Sequence, residues 1–303
     1  MAPDFASHRH TTLPGRLEFA PLALNMSAKN SQPGKPNEDY VLVDNRTQCY
    51  VVCDGVSRTP LEDGSYPNPS PAALAAKIGA EGIMKFLVGN LSSDLEPKQI
   101  IQGAAKAANQ QIARLNKKLF KEIDYRINDF AGTCSIFGFV KDGNFHCGMI
   151  GDCVGYYVNK SNQQNLVRFT QSQTVKVRQY GESHSSEFKD KKSLQLFFRS
   201  QLRNNPDNEY AYGVLTGEEN EKRNALQFVE YHKIPLQDIA YILLTSDGLD
   251  DFLKDKQGSM ENLLLYPHQI IDSANDFEKN LGKEGDDKTF VLVDFLFNLS
   301  TYK

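Results

Sequence analysis

Two apolar runs end in the same way, and together they restrict the fold more than any other feature of the chain. Cys49-Tyr50-Val51-Val52-Cys53 leads into Asp54-Gly55, and Ile239–Thr245 leads through Ser246 into Asp247-Gly248. A short run without polar alternation is the pattern of a strand covered on both faces. Asp-Gly at its tip marks a turn, where glycine lets the backbone bend past the carboxylate. One such tip is an ordinary turn. Two of them predict carboxylates held rigidly at one end of a core, each needing a cation, hydrogen bonds or open water.

Acidic residues recur at the other expected strand ends. Asn37-Glu38-Asp39 stands directly before the strand 40–43, and Asp44-Asn45-Arg46 turns the chain back into 49–54. That hairpin is antiparallel, so Asp39 and Asp54 fall at the same end. A second hairpin, 133–140 with 145–150, closes at Gly151-Asp152, and 155–158 continues its sheet. Strands follow at 228–232 and 239–244, and Asp286-Asp287-Lys288-Thr289 opens the strand 290–295. A first strand is expected over 16–26, behind a flexible N-terminal arm at 1–15.

Helices fill the intervals. Ser70 is suited to cap a helix and Pro71 to begin it. Apolar positions at helical spacing continue to 88, and again from Pro97 onward. Shorter helices are expected from Gly248 and over 267–281. The segment 171–224 is polar, rich in Ser, Lys, Arg and Asn, and reads as a long variable flap with one short helix at 194–202. Strands grouped early and late, with helix pairs between and no βαβ alternation, indicate an α+β fold built on antiparallel sheets.

Charge and cysteine usage narrow the function classes. The 303 residues carry 34 basic and 38 acidic side chains, a net charge of −4 with no block of one sign, so no nucleic-acid footprint is expected. No apolar run is long enough to span a bilayer, and the first residues show no secretory pattern, so a cytoplasmic location is expected. The five cysteines form no Cys-x-x-Cys pair and read as reduced core residues.

The ordered acidic set Glu38-Asp39, Asp54-Gly55, Gly151-Asp152, Asp247-Gly248 and Asp286-Asp287-Lys288-Thr289 resembles the metal-dependent serine/threonine phosphatases of the protein phosphatase 2C type, from about Phe19 to Phe297. The resemblance implies a four-layer αββα sandwich, two central mostly antiparallel sheets flanked by helix pairs. It implies one catalytic domain over 16–303 that holds two or three Mn²⁺ or Mg²⁺ ions. By that resemblance Asp54 bridges two ions, with the Gly55 carbonyl as a further ligand. Asp247 and Asp286 complete one ion's ligands, Glu38 and Asp39 hold metal-bound waters, and Asp152 with Asp247 makes a weaker third site. Asp54 and Asp247 then serve a metal-activated water, with no side-chain nucleophile. An all-oxygen set suits such hard ions, and several converging carboxylates need them.

Three departures from the family pattern stand out. Val56 replaces the histidine of Asp-Gly-His. The phosphate-binding arginine ahead of the first acidic pair is missing, leaving Lys35, closest to that pair, as the expected phosphate contact. Cys153-Val154 follows Gly151-Asp152 where the family has Ser-Arg. The expected function is dephosphorylation of phosphoserine and phosphothreonine in proteins by a monomer. The alternatives are a catalytically weak regulatory or binding module, and an enzyme for small phosphomonoesters.

Overall fold

Side-chain alternation along the strands decides how the layers stack. In the computed structural model, which describes residues 21–30, 34–56, 66–125, 128–256, 264, 266–283 and 285–296, strand β3 (Cys49–Gly55) is buried along nearly its whole length. Its Cys49, Val51 and Cys53 face one hydrophobic cluster, and Tyr50 and Val52 face another. Strand β10 (Lys288–Asp294) divides in the same manner, Phe290 and Leu292 one way and Val291 and Val293 the other. Each strand is therefore apolar on both faces because each sheet is covered on both faces.

Two five-stranded sheets result, and every pairing between named strands is antiparallel. One has the order β2 (Asp39–Asp44), β3, β4 (Thr133–Lys141), β5 (Asn144–Ile150), β8 (Glu230–Pro235). The other runs β1 (Leu22–Ala28), β10, β9 (Ile239–Thr245), β6 (Val154–Asn159), β7 (Asn162–Arg168). Helices α1 (Pro71–Asn90) and α2 (Pro97–Leu119) cover the outer face of the first sheet through Ala75, Ala80, Ile83, Ile101 and Ile112. Helices α5 (Asp250–Asp255) and α6 (Gln269–Asn280) cover the second through Phe252, Leu253, Ile270 and Ala274. The expected αββα sandwich is the observed one.

Ser70 caps α1, its hydroxyl accepting from Ala73 N at 3.4 Å, with Pro71 in the first turn. The five cysteines are buried and unpaired, as the reduced-core reading requires. No described helix is long and apolar enough to cross a membrane.

Several expectations shift, and β6, expected to continue the sheet of β4 and β5, instead crosses to the other sheet between β9 and β7. The flap holds two helices, α3 (Thr174–His184) and α4 (Lys191–Phe197), the latter continued by a π turn over Phe198–Leu202. Only the second was expected, because α3 buries just Val177 and Gly181 and so shows no apolar stripe. Strand β7 was not foreseen for a similar reason: its sequence is mostly polar, and Leu166 is its one fully buried residue. Strand β8 begins at Glu230 because Ala225–Phe228 forms a 3₁₀ turn. The expected arm at 1–15, the start of the first strand, and 57–65 lie outside the described residues.

The flap is rooted in a buried ion pair. Arg203, with no exposed surface, donates to both Asp129 carboxylate oxygens at 2.6 and 3.1 Å. Arg203 and Arg223 each stand 5.7 Å from the centre of the Tyr125 ring.

Candidate active site

Strand direction brings the acids together before any side chain is considered. In the second sheet, β9 runs antiparallel to both neighbours, and Thr245 at its end pairs with Val154 on one side and Phe290 on the other. Asp247, just past that end, is thus beside Asp152, just before β6, and Asp286, just before β10. In the first sheet, Asp39 pairs directly with Asp54, and Asp54 with Cys134. The two sheets present these ends on the same side of the sandwich. Asp54, Asp152, Asp247 and Asp286 border one cleft there, with Gly55 and Val56.

Among the described residues, Asp54, Asp152 and Asp247 each offer an oxygen within 4.8 Å of the others. Their carboxyls repel one another in partly dehydrated surroundings. Burial, then Asp39, Asp247, Asp152 and Asp286, push the Asp54 pKa well above the usual carboxylate range. Burial, then Asp152 and Asp286, do the same to Asp247, against a hydrogen bond with Asp54. Burial raises Asp152 as well, opposed by hydrogen bonds to Cys134 and its own backbone and by the Arg178 charge. Three carboxylates so close, each disfavoured as an anion, form a donor set that a divalent cation would complete.

Asp39 carries the most specific mark of a missing partner. Its Oδ2 accepts from Ser246 Oγ at 2.7 Å, while its Oδ1 is buried with no hydrogen-bond partner. Burial raises its pKa to about 7 despite the Ser246 and Thr289 hydroxyls. A buried oxygen left unmatched at an acidic cleft fits a place kept for a ligand or its water. Glu38 is held differently: it is 2% exposed, and Ser70 Oγ donates to its Oε1, so the cap of α1 also fixes this carboxylate.

Lys35, the expected phosphate contact, lies apart from the cleft lining. Its side chain is 6% exposed, and Nζ donates to Asp286 Oδ1 at 3.1 Å. Burial works to lower its pKa, but the Asp286 charge and hydrogen bond raise it, so the residue stays charged as a counterion to Asp286.

The resemblance singled out Asp286 of the pair Asp286-Asp287 and gave Asp287 no role. Asp287 is buried, and its Oδ1 accepts from Asn30 N at 2.8 Å and Asn30 Nδ2 at 2.6 Å. Its Oδ2 accepts from Glu38 N at 2.8 Å, so it fastens the two sheets together at the cleft. Gln173 was missed too, sitting in the unpatterned flap. Its Oε1 accepts from Gly151 N at 3.0 Å and Gly213 N at 3.1 Å, and its own N–H donates to Gly151 O at 2.9 Å.

The glycines after Asp54 and Asp247 serve a different purpose from the expected one. Neither has a positive φ. A Cβ at Gly55 would lie 2.6 Å from Glu38 O and 2.7 Å from Ala72 O, and one at Gly248 would lie 2.0 Å from Asp287 O. Close approach of backbones, not a tight bend, requires glycine there. Cys134 and Cys153 adjoin the acids, but burial, then neighbouring carboxylates, raise both thiols, so neither is a nucleophile at neutral pH.

Solved structures share this architecture. A bacterial serine phosphatase aligns with a TM-score of 0.60 at 17% identity, over 90% of this chain and 97% of that one. Stp1 from Staphylococcus aureus aligns at 0.58 and 17%, over 95% and 98%. The serine/threonine phosphatase PstP/Ppp of Mycobacterium tuberculosis aligns at 0.57 and 18%, over 91% and 98%. A further structure of the PstP catalytic domain contains two manganese ions. At such identities these likenesses establish the fold. No curated protein matches the chain by sequence. The family model of protein phosphatase 2C, however, matches residues 28–284. That match spans Asp54, Asp152 and Asp247 and ends just before Asp286, and the chain belongs to the protein phosphatase 2C family of metal-dependent serine/threonine phosphatases.

Proposed function

We propose that this cleft hydrolyses phosphoserine and phosphothreonine esters of proteins, with Asp54, Asp247, Asp152 and Asp286 and the Gly55 carbonyl as the ligands of two or three Mn²⁺ or Mg²⁺ ions. The observation that carries the reading is the convergence of Asp54, Asp152 and Asp247 within 4.8 Å, with their carboxyls disfavoured as anions. Divalent ions held there would make a water nucleophilic near neutral pH and offset charge on a phosphoryl group. The chain's own residues would orient the reactants. Asp39 Oδ1, its other oxygen committed to Ser246, is placed to accept from a water. Glu38 is kept in register by Ser70, and Lys35 by its bond to Asp286 keeps that carboxylate aligned. Val177, Phe198 and Val214 form an apolar wall that limits competing water.

The same reading takes 16–303 as one catalytic domain, 171–224 as its flap, and a cytoplasmic monomer as the working form. It is tested by hydrolysis of a phosphothreonine peptide and an aryl phosphate with Mn²⁺ and with EDTA. We expect Mn²⁺-dependent turnover of both. Binding of the peptide without turnover would favour a regulatory module, and turnover of the aryl ester alone would favour small phosphomonoesters.

Val56 borders the cleft and has no proton to give a leaving group. Serine and threonine alkoxides gain more from a general acid than aryl oxides do. Val56→His, assayed at saturating Mn²⁺, should therefore speed peptide hydrolysis about tenfold more than aryl-phosphate hydrolysis. Equal slowing of both at unchanged metal affinity would mean that position 56 does not face the leaving group.

A further inference from the structure

A phosphate ester brings up to two negative charges into a cleft whose floor is carboxylate. Ions held by those acids offset part of the charge, but the outward phosphate oxygens also need donors that stay in place. Lys35 is sealed against Asp286. Among the described residues that line the cleft, Arg178 is the one cation. We propose that Arg178, carried on the flap helix α3, is the residue that receives the substrate's phosphate. This rests on the phosphatase reading above and moves to Arg178 the contact expected of Lys35.

The flap is built to hold Arg178 at that place. Gln173, the residue before α3, is hydrogen-bonded to both N–H and C=O of Gly151, the neighbour of Asp152. Its Nε2 donates to Phe228 O at 2.7 Å and Glu230 Oε1 at 2.9 Å, so the helix start is clamped from two sides. Arg178 follows five residues later, roughly 7.5 Å along the axis at the helical rise. Its Nη2 donates to Thr174 Oγ1 at 3.2 Å, one turn back, and Thr174 also borders the cleft. The guanidinium therefore lies along the side of α3 that faces the acids. Its charge reaches Asp152, where it opposes the effect of burial.

Arg178 is also available. Its side chain is exposed, and Thr174 Oγ1 takes one of its five N–H donors. A planar fork of free donors suits two-point contact with phosphate, which a lysine ammonium cannot reproduce. The adjoining Val177 and Phe198 border the same space, and apolar neighbours strengthen a charged contact by excluding water.

The test uses inorganic phosphate as the probe and the full chain loaded with Mn²⁺. Calorimetric titration of wild type, Arg178→Ala and Arg178→Lys should show phosphate affinity falling about tenfold in the alanine variant and partly restored in the lysine variant. KM for a phosphothreonine peptide should rise by a similar factor. Mn²⁺ affinity should be unchanged or tighter, because a cation beside Asp152 has been removed. Equal phosphate affinity in wild type and Arg178→Ala would overturn the proposal, as would a loss matched by lost Mn²⁺ binding. Phosphate affinity is read without turnover. A chain that binds phosphate through Arg178 but hydrolyses nothing would leave this assignment standing and remove the phosphatase reading. Normal turnover with unchanged KM in Arg178→Ala would do the reverse.

Discussion

Asp54→Asn is expected to lower Mn²⁺-dependent hydrolysis roughly a thousandfold, the scale of removing a charged group from the reacting centre. The same substitution should make the metal-free protein more stable. Asp54 has its folded-state pKa raised above the ordinary 3.8, by burial first and then by four neighbouring aspartates. The folded state therefore binds the proton more tightly than the unfolded chain does. Stability of the metal-free protein falls as pH rises from about the unfolded value of 3.8 toward the raised folded value, and the full cost persists above it. Asparagine has no such titration. In EDTA the variant should melt above wild type at pH 7.5, with the gap closing as the pH approaches 4. In Mn²⁺ the order should reverse, since only wild type gains from filling the site. A variant that melts lower in EDTA, or keeps its activity, would contradict the role of Asp54.

Gly248→Ala should be nearly as damaging through backbone crowding alone. The added Cβ would stand 2.0 Å from Asp287 O. That carbonyl cannot easily recede, because the Asp287 carboxylate is held by Asn30 and Glu38 across the two sheets. The strand ends carrying Asp247 and Asp286 would have to separate. We expect a loss of about 3 kcal/mol in stability, the upper range for overpacking, and more than a hundredfold in activity. Gly89→Ala is the matching control. It lies in α1 with nothing within 4 Å of the new Cβ and should be neutral or stabilising by up to about 1 kcal/mol. Denaturant unfolding of both proteins decides it: similar behaviour would mean that the glycine after Asp247 is not needed for close approach.

The parts of the fold that were legible in sequence are those where burial and pattern agree. Strand β3 shows as an uninterrupted apolar run because α1 and the second sheet cover it from opposite sides, and the turn at 44–46 then sets Asp39 against Asp54. Ser70 and Pro71 announce α1 by their backbone chemistry. Strand β7 and helix α3 were not legible because each buries so little that no period forms. Within the site, the acids could be placed at strand ends, but their hydrogen-bond duties could not. Asp286 and Asp287 are adjacent and chemically identical in sequence, yet one pairs with Lys35 at the cleft while the other ties Asn30 to Glu38. The register of β1 against β10 and the approach of the other sheet at Glu38 separate them. Arg178 was hidden for the same reason as its helix. Its position depends on Gln173 reaching Gly151, a contact between segments 22 residues apart that no local pattern encodes.

The most direct measurement is titration of Mn²⁺ into the metal-free protein at neutral pH, with heat and proton release followed together. We expect at least two ions per chain, with proton release as carboxyls whose hold on protons is raised by burial and mutual repulsion become ligands. Asp54→Asn should lose most of that binding and part of the proton release. Absence of Mn²⁺ and Mg²⁺ binding by the wild-type chain, or equal binding by Asp54→Asn, would contradict the assignment of this cleft as a metal-dependent hydrolytic site.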